Sequence, residues 1–377
     1  MTALKLAPRR FRALACGGYA LWTEAERADF GARYTPPFHP SPYGEHLAWA
    51  WSRVLEQSWF FPWYRAEPQA RLPAPHADPV RVNDIVMEIL AAGNSFALGY
   101  AAVLQAPRDL PSADAEMPPV LIAAYNGDPL QAHIDRLPAL PRGWQARKVE
   151  SPAALEEAAI AWLGPHVGTR PVALPEAADA GFLPVAAAGF DGLLHWLGAG
   201  ERLWLPAPGG AAALAPAGVL ALDPPGHGLS DPWTKAPAEL DSWVEVLATA
   251  LAGRPIRSVE GEGWSACLAA RLAQRLGVPD RSGALPCGER ARWRAVGLPD
   301  LAPDRFGSHL LRAWQVVRAA TLFEPWFDVS GATTRAFAPA DLAPEALARR
   351  HLALMRASGG QALLTACLDA ADAAEKS

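Results

Sequence analysis

Two segments of this 377-residue chain resemble each other closely enough to constrain its fold. Residues 44–64 (GEHLAWAWSRVLEQSWFFPWY) and 307–327 (GSHLLRAWQVVRAATLFEPWF) are identical at nine of twenty-one positions, at a constant offset of 307 − 44 = 263. In each copy, apolar residues recur every three or four positions, as in an amphipathic helix, and the copy ends at an aromatic-Pro-Trp corner. The repeat therefore predicts a duplicated helical subdomain.

Strand-like and helix-like segments alternate between the two copies. Short apolar runs at 118–129 (PPVLIAAYNGDP) and 218–233 (GVLALDPPGHGLSDPW) have the length and composition of buried strands and the turns that follow them. Residues 144–149 are also assigned to a strand. Residues 152–163 and 239–251 have helical patterns instead. Alternation of this kind predicts an α/β fold with a mostly parallel sheet covered by helices.

Residues 259–273 (VEGEGWSACLAARLA) have the pattern of a strand, a sharp glycine turn and a helix of small apolar residues. Such a turn tolerates no bulk on either side of its central residue, because its backbone is strained. Gly261 and Ser265 occupy the two outer positions, and Gly263 occupies the centre. The central residue therefore has no side chain with which to react.

The composition argues against several classes of partner. Lys and Arg total 34 against 39 Asp and Glu, a net charge of −5 without long charged runs, so nucleic acid is not expected to bind. There is no apolar run of about eighteen residues, and Gly17 and Gly18 interrupt the apolar start, so we expect no membrane span and no signal peptide, and a cytoplasmic location. Four separate cysteines without a CxxC pair predict no metal site, and we expect no cofactor.

Three segments together resemble the α/β-hydrolase superfamily. They are the strand, turn and helix at 259–273, the loop LALDPPGHGLSD at 220–231, and LIAAYNGDPL at 121–130. The D-x-P-G-x-G-x-S pattern about forty residues before the glycine turn is the most specific of the three. The repeated segment, with G-x-H-L and F-x-P-W, is similar to the helical cap that such proteins insert after their sixth strand. The resemblance implies an α/β-hydrolase-like fold with two helical cap segments.

The order of these segments differs from the order in the family. Family members present the half with the nucleophile turn first, then the cap, then the strands that carry the acid and the histidine. This chain resembles a C-terminal half placed before an N-terminal half, by fusion or circular permutation, and either route would let the halves rebuild one sheet. We predict a first region at 1–165 with a cap at about 40–105, a linker at 166–180, a nucleophile-turn region at 181–300 and a second cap at 301–377.

The resemblance also assigns the family's catalytic positions to residues of this chain. The nucleophile position falls on Gly263 and the acid position on Asp128, and the histidine position falls near Glu150 and Ser151. Serine hydrolysis needs the nucleophile, the base and the acid, and only the acid is present. Asp128 has a second interpretation, as the residue that caps the turn before Pro129.

Three neighbouring residues are candidates for a rebuilt catalytic site. Ser265 is a candidate for a displaced nucleophile, and His227 and Glu262 are candidates for a base that activates water. Each also has a structural interpretation: Ser265 as a packing residue, His227 as a loop residue, and Glu262 as a solvent-facing or arginine-paired carboxylate. Cys267 is interpreted as a core thiol rather than a nucleophile.

A ligand pocket is predicted around the same turn. Pro206 and Pro208 have no N–H to stabilise an oxyanion, so Gly209 or Gly210 is the expected donor. Tryptophans of the two caps either line an aromatic pocket or pack in the core. The predicted pocket residues are Gly209, Gly210, Gly263, Trp264, Trp51 and Trp314.

Two functions from different classes fit these patterns. The first is a catalytically degenerate hydrolase-like protein that binds a small apolar molecule or a protein partner, such as an intact hydrolase-like subunit, in a homo- or hetero-oligomer. The second is an active hydrolase of small esters, thioesters or carbon–carbon bonds with a site that lacks the triad. The glycine at position 263 and the missing histidine favour the first.

Overall fold

The computed structural model describes residues 1–106, 110–168, 179–286 and 290–376. The chain divides into two compact units, and both are discontinuous in sequence. The first unit comprises Met1–His39, Ala50–Asp78 and Ala92–Leu174, and the second comprises Pro40–Trp49, Pro79–Ala91 and Pro175–Ser377. The regions predicted at 181–300 and 301–377 thus belong to one unit, and most of the predicted linker at 166–180 lies outside the described residues.

The first unit contains a three-stranded parallel sheet with its strands in sequence order. The strands are β1 (Leu14–Gly17), β2 (Val120–Tyr125) and β3 (Trp144–Val149). Val120 pairs with Leu14 on one side and with Trp144 on the other, so β2 is the central strand. A central parallel strand is buried on both faces, which explains the continuous apolar run from Val120 to Ala124. The strands predicted at 118–129 and 144–149 are confirmed.

Six helices begin in the first half of the chain, and two of them contribute residues to both units. They are α1 (Thr2–Leu6), α2 (Glu24–Arg33), α3 (Glu45–Trp59), α4 (Pro79–Ala92), α5 (Ser95–Gln105) and α6 (Pro152–Leu163). The bounds of α6 are the predicted ones, because Ser151 accepts a hydrogen bond from the Ala154 N–H at 3.2 Å and Pro152 occupies the first helical position.

The second unit contains a five-stranded mixed sheet in the order β4-β5-β7-β6-β8. The strands are β4 (Ala180–Ala187), β5 (Phe190–Gly198), β6 (Arg202–Leu205), β7 (Leu220–Leu222) and β8 (Ser258–Gly261). The β4-β5 and β5-β7 pairs are antiparallel, and β6 pairs in parallel with β7 and β8. Four of the six strand pairings in the two sheets are parallel, which confirms the mostly parallel prediction. The described strands form two separate sheets, whereas the sequence suggested that the two halves could rebuild a single sheet.

Helices of the second unit pack on this sheet around one large apolar core. They are α7 (Leu240–Ala250), α8 (Ala266–Leu276), α9 (Arg290–Val296) and α12 (Gly360–Lys376). Helices α10 (Ser308–Leu322) and α11 (Pro344–Met355) pack against each other. The core combines Leu203 and Leu222 of the sheet with Trp243 of α7, Leu268 of α8 and Leu364 of α12, all fully buried. The helix predicted at 239–251 is confirmed as α7.

The two repeated segments have matching local structure. Helices α3 and α10 have the same length, and their bounds differ by 308 − 45 = 322 − 59 = 263. A glycine with positive φ precedes each helix, Gly44 at +90° and Gly307 at +69°. After each helix an isolated bridge forms at the same offset, Phe60 with Arg71 and Phe323 with Thr334.

Among the described helices, none alone has the length and apolar character needed to cross a membrane. Helices α4 and α5 together meet those requirements, but they are joined at a bend of 91°.

Candidate functional site

A sharp turn joins strand β8 to helix α8, as the sequence of residues 259–273 predicts. A Cβ on Gly261 would lie 2.3 Å from the Ser265 carbonyl oxygen, so only glycine fits there. Gly263 has φ +55°, in the left-handed region that favours glycine. Among the described residues, a Cβ at Gly263 would meet the Ala207 Cβ at 3.4 Å and the Pro286 Cγ at 3.8 Å, both ordinary van der Waals distances. The turn thus keeps room for a side chain at its centre, and the residue there has none.

Ser265 is not accessible from this turn. Its side chain is completely buried, and its hydroxyl has no hydrogen-bond partner among the described residues. The Ser265 N–H donates to the Glu262 carbonyl at 3.1 Å, which closes the turn. The neighbouring Trp264 is also buried and lies edge-on to Trp293, with ring centroids 6.0 Å apart. The structure thus gives Ser265 and Trp264 packing positions, and Ser265 cannot reach a substrate in solution.

The loop after β6 offers a different backbone donor from the predicted ones. The Gly210 N–H is already used, because it donates to the Ala207 carbonyl at 2.7 Å. Gly209, at φ +92°, lies against Leu354, whose methyl carbon would be 3.1 Å from a Cβ at that position. The Ala207 N–H instead donates to the side chain of Glu262. Ala207, which sequence reasoning passed over, thus contacts the Glu262 carboxyl, and its Cβ would lie 3.4 Å from a Cβ at Gly263.

Glu262 is the titratable residue at the centre of this geometry. The Glu262 side chain is exposed to water, but many protein atoms surround its carboxyl group. This partial burial raises the pKa of the Glu262 carboxyl, while the Ala207 N–H and the charges of Arg335 and Arg350 oppose the rise. Burial is the larger effect. Glu262 is therefore an exposed carboxyl with a raised pKa directly beside Gly263 in the turn.

His227 in the DPPGHG loop is completely buried. Its Nδ1 lies 3.1 Å from the Pro225 carbonyl, and its Nε2 has no partner among the described residues. Burial lowers the pKa of His227, so the ring is neutral at pH 7. Because no part of the ring is accessible, His227 does not act as a base toward solvent in this structure.

The same loop is held against the turn between α11 and α12. The Gly359 N–H donates to the Gly226 carbonyl at 3.0 Å, and the Ser358 hydroxyl approaches the same oxygen at 3.4 Å. A Cβ on Gly359 would lie 2.5 Å from the Pro225 carbonyl oxygen, and one on Gly360 would lie 3.1 Å from the Gly209 nitrogen. Two sheet loops and the second cap therefore meet through their main chains.

A buried histidine–aspartate pair joins strand β5 to the end of strand β7, and sequence reasoning did not predict that these two side chains meet. His195 on β5 places its Nδ1 2.8 Å from Asp223 Oδ2, at the end of β7. Asp223 also accepts hydrogen bonds from the N–H groups of Ala212 at 2.6 Å and Leu229 at 3.3 Å. The pair thus anchors the loops that follow β6 and β7. The available signal was a histidine inside strand β5 and an aspartate directly after strand β7.

Asp128 belongs to the first unit and takes the turn-capping role. Its Oδ1 accepts a hydrogen bond from the Leu130 N–H at 2.7 Å, and its carbonyl accepts one from the Gln131 N–H at 2.9 Å. At the position predicted for the histidine, Glu150 accepts a hydrogen bond from the Asn126 amide at 2.7 Å. These contacts stabilise the end of β2, and they account for the aspartate without a catalytic role.

The two cap tryptophans of the predicted pocket are core residues. Trp51 is 4% exposed and Trp314 is fully buried. The Trp314 ring lies 4.9 Å from the His46 ring and 5.7 Å from the His351 ring. A Cβ on Gly44 would lie 3.2 Å from the indole, which explains the glycine. Of the six predicted pocket residues, Gly263 and Gly209 keep partial exposure at the turn.

Within the described part of the chain, no group of three or more His, Cys, Asp and Glu side chains is arranged to hold a metal ion. Cys267 is half-buried and Cys367 is fully buried, while Cys287 lies outside the described residues. Burial raises the pKa of the Cys267 thiol, which disfavours the reactive thiolate.

No protein-family model matches this chain, and no curated protein matches it in sequence. Solved structures similar to parts of it are α/β-hydrolase-fold proteins. The Cif epoxide hydrolase from Acinetobacter nosocomialis is 13% identical, with 61% of this chain and 77% of that protein covered at a TM-score of 0.34. Epoxide hydrolase I from potato, Solanum tuberosum, is 16% identical, with 50% and 73% covered at 0.31. A bottromycin epimerase in complex with bottromycin A2 is 17% identical, with 48% and 74% covered at 0.30. Likeness at this level says nothing about activity.

Proposed function

We propose that this chain is a catalytically degenerate hydrolase-like protein, which binds a ligand at the turn between β8 and α8 without cleaving it. The observation that carries the proposal is Gly263, which holds the positive-φ centre of the turn and has no side chain, although a Cβ there would meet no described atom closer than 3.4 Å. An acyl-transfer enzyme needs an oxygen or sulfur nucleophile at such a position, together with a base that reaches it.

The groups around the turn support this conclusion. The Ser265 hydroxyl and the His227 ring are completely buried, so neither meets a substrate. The Cys267 thiol has a pKa raised by burial. A binding role requires none of these groups to react.

The proposed ligand is a small apolar molecule. The atoms nearest to the open side of Gly263 are the Ala207 methyl and the Pro286 ring, both apolar. The Ala207 N–H adds one polar contact when Glu262 is protonated or displaced. The second proposed occupant is a protein, either an intact hydrolase-like subunit or another copy of this chain. In that case sedimentation of the purified chain would show self-association, or complex formation with the added subunit.

The test combines turnover with binding. We expect the purified chain to hydrolyse 4-nitrophenyl butyrate and a butyryl thioester no faster than buffer, and to bind 4-nitrophenol measurably by calorimetry. Gly263→Leu fills the open space and should remove this binding. Gly277→Leu is the matched control, because Gly277 has a similar φ of +69° and open space around it at the end of α8. Hydrolysis well above buffer would refute the proposal.

One observation favours a second candidate, hydrolysis by a water that Glu262 activates. The carboxyl combines a raised pKa with a backbone N–H donor and an open turn. If this candidate is correct, the chain hydrolyses the ester and Glu262→Gln abolishes the activity. Glu260→Gln should leave it unchanged, because Glu260 lies two residues earlier on β8 and faces Arg202 at 3.9 Å.

A further inference from the structure

We propose that Arg53 of the first unit binds the carboxylate of a small organic acid. Arg53 lies on α3 and is only 2% exposed. Its guanidinium carbon lies over three aromatic rings, 5.8 Å from the Tyr34 centroid, 5.3 Å from that of Trp63 and 5.0 Å from that of Phe96. The proposal does not depend on the function proposed for the glycine turn.

No carboxylate of the described residues pairs with this buried charge. Its Nη1 donates a hydrogen bond to Gln57 Oε1 at 2.6 Å. Burial lowers the pKa of Arg53, which reflects the free-energy cost of a charge without a counter-ion. Cation–π contacts with three rings recover part of that cost, but a buried ion is stabilised fully only by an opposite charge with good hydrogen-bond geometry.

The donors that Arg53 leaves unused form one edge of the guanidinium. Nε and Nη2 are both buried and have no hydrogen-bond partner among the described residues. Their N–H bonds are roughly parallel, and they match the two oxygens of a carboxylate in a bidentate pair. The unfilled edge therefore specifies a planar two-oxygen acceptor.

The helix itself does not require an arginine at this position. Helix α10 is the repeat of α3, and at the offset of 263 it carries Val316 in place of Arg53 and Ala320 in place of Gln57. Val316 is buried and contributes to the core in the ordinary way. The polar pair is thus confined to the first copy, where it adds a binding chemistry that the second copy lacks.

The surroundings indicate the kind of acid. The rings and the Gln57 amide in contact with Arg53 are uncharged, so one positive charge suits a monoanion better than a phosphate dianion. The aromatic faces suit a ligand with an apolar or aromatic body. A cavity of about 420 Å³ between α2 and α5 is lined by Thr35 and Leu104 and by the charged Glu24 and Arg27. Arg53 is not one of its lining residues, but Leu104 packs with Tyr34. Because Arg53 is buried, entry requires rotation of one covering ring.

Calorimetry with phenylacetate, and with its neutral analogue phenylacetamide, tests the proposal. We expect the wild-type chain to bind phenylacetate and not the amide, and Arg53→Met to weaken binding at least tenfold. Arg53→Lys keeps the charge but loses the two-donor edge, so at least fivefold weakening is expected. Arg254→Met is the matched control, because Arg254 also stacks on a ring, at 4.6 Å from the Trp196 centroid. Equal binding by Arg53→Met, or no binding of phenylacetate or octanoate by the wild type, overturns the proposal.

Glu56 could itself be the carboxylate that pairs with Arg53, and the Glu56→Gln variant tests this alternative. It lies one helical turn from Arg53, and its Oε2 is buried without a partner among the described residues. If the two side chains pair in solution, Glu56→Gln frees Arg53, and phenylacetate should then bind at least tenfold more tightly than to the wild type. That result would make Glu56 the occupant of the edge and overturn the proposal. Unchanged affinity in Glu56→Gln supports an external acid.

Discussion

The Nδ1 of His195 lies 2.8 Å from the Oδ2 of Asp223, and both side chains are buried in the second unit. The Asp223 carboxylate also accepts hydrogen bonds from the N–H groups of Ala212 and Leu229. It therefore connects strand β5 with the loops that follow β6 and β7. The glycine turn and the DPPGHG loop are positioned by the same sheet. The stability of the candidate site therefore depends on a pair that takes no part in its chemistry.

Asp223→Ala should destabilise the second unit strongly. The substitution leaves the His195 ring and the Ala212 N–H buried without an acceptor, and loss of one partner of such a pair typically costs about 3–5 kcal/mol. Urea unfolding gives the free-energy difference. Asp231→Ala is the control, because Asp231 accepts a hydrogen bond from the Leu193 N–H at 2.8 Å from an exposed position, and about 1 kcal/mol is expected. Similar costs for the two variants would contradict the structural role of the pair.

Substitution by alanine should destabilise the chain to very different extents at two glycines of the turn. At Gly261 the added methyl would lie 2.3 Å from the Ser265 carbonyl oxygen, so the backbone must shift, and we expect a loss of about 3 kcal/mol or more. At Gly263 the methyl has space, and the cost is that of the left-handed backbone, about 1–2 kcal/mol. Thermal unfolding of the two variants checks the ranking. The reverse ranking would mean that the turn has another shape in solution.

Acid should weaken the cap region of the second unit. Burial lowers the pKa of both His46 and His351 from 6.5 to about 4. Glu45 opposes the shift at His46, and the charges of His46 and His309 add to it at His351. The two histidines become protonated below pH 6.5 in the unfolded chain but only near pH 4 in the folded chain. Their contribution to the free energy of unfolding is therefore present above pH 6.5 and is lost as the pH falls toward 4. At about 1.4 kcal/mol per pKa unit, each ring accounts for up to about 3 kcal/mol.

Urea unfolding at pH 7.5 and pH 5 measures this effect. His351→Gln should reduce the difference between the two pH values, because the glutamine does not titrate. His39→Gln is the control, since His39 is exposed. An unchanged pH dependence in His351→Gln would show that the acid sensitivity arises elsewhere.

The described cysteines should be poor nucleophiles. Burial raises the pKa of the half-buried Cys16 and Cys267, and also that of the fully buried Cys367. We expect iodoacetamide at pH 8 to label Cys267 more slowly than free glutathione, and to leave Cys367 unmodified until the chain is unfolded in urea. Mass spectrometry of peptides gives the rates. Faster labelling of Cys267 than of glutathione would reveal an activated thiol and revive its candidacy as a nucleophile.

Elements with strong local signals were predicted well from the sequence. Helix α6 has the predicted bounds, because a Ser-Pro start defines it. Strand β3 also has the predicted bounds. The β4-β5 hairpin was missed. Its turn at Ala188 and Gly189, with φ of +48° and +82°, lacks the usual Asn-Gly or Asp-Gly signature.

The site was harder to predict than the fold, because its contacts are long-range. Gly263 was recognised from local spacing. Helix α12, however, contacts the turn that holds Ser265, and Gly359 bonds to the loop that holds His227. No local pattern encodes these contacts between segments far apart in sequence. The Arg53 environment was hidden for the same reason, since Tyr34 directly follows α2 and Phe96 lies on α5. Composition around Arg53 shows an ordinary amphipathic helix.

The contact between Gly226 and Gly359 has a consequence for modularity. Many helical caps are held by side chains, so they can be exchanged between related proteins by rewriting a few surface residues. Here Gly359 donates to Gly226 through the main chain, and neither position has room for a Cβ. The two loops are in direct main-chain contact, so a residue larger than glycine in one loop would collide with the other. A chimera that grafts a foreign cap onto residues 182–285 would have to retain residues 358–360, so the second cap and the sheet are inherited as a single piece.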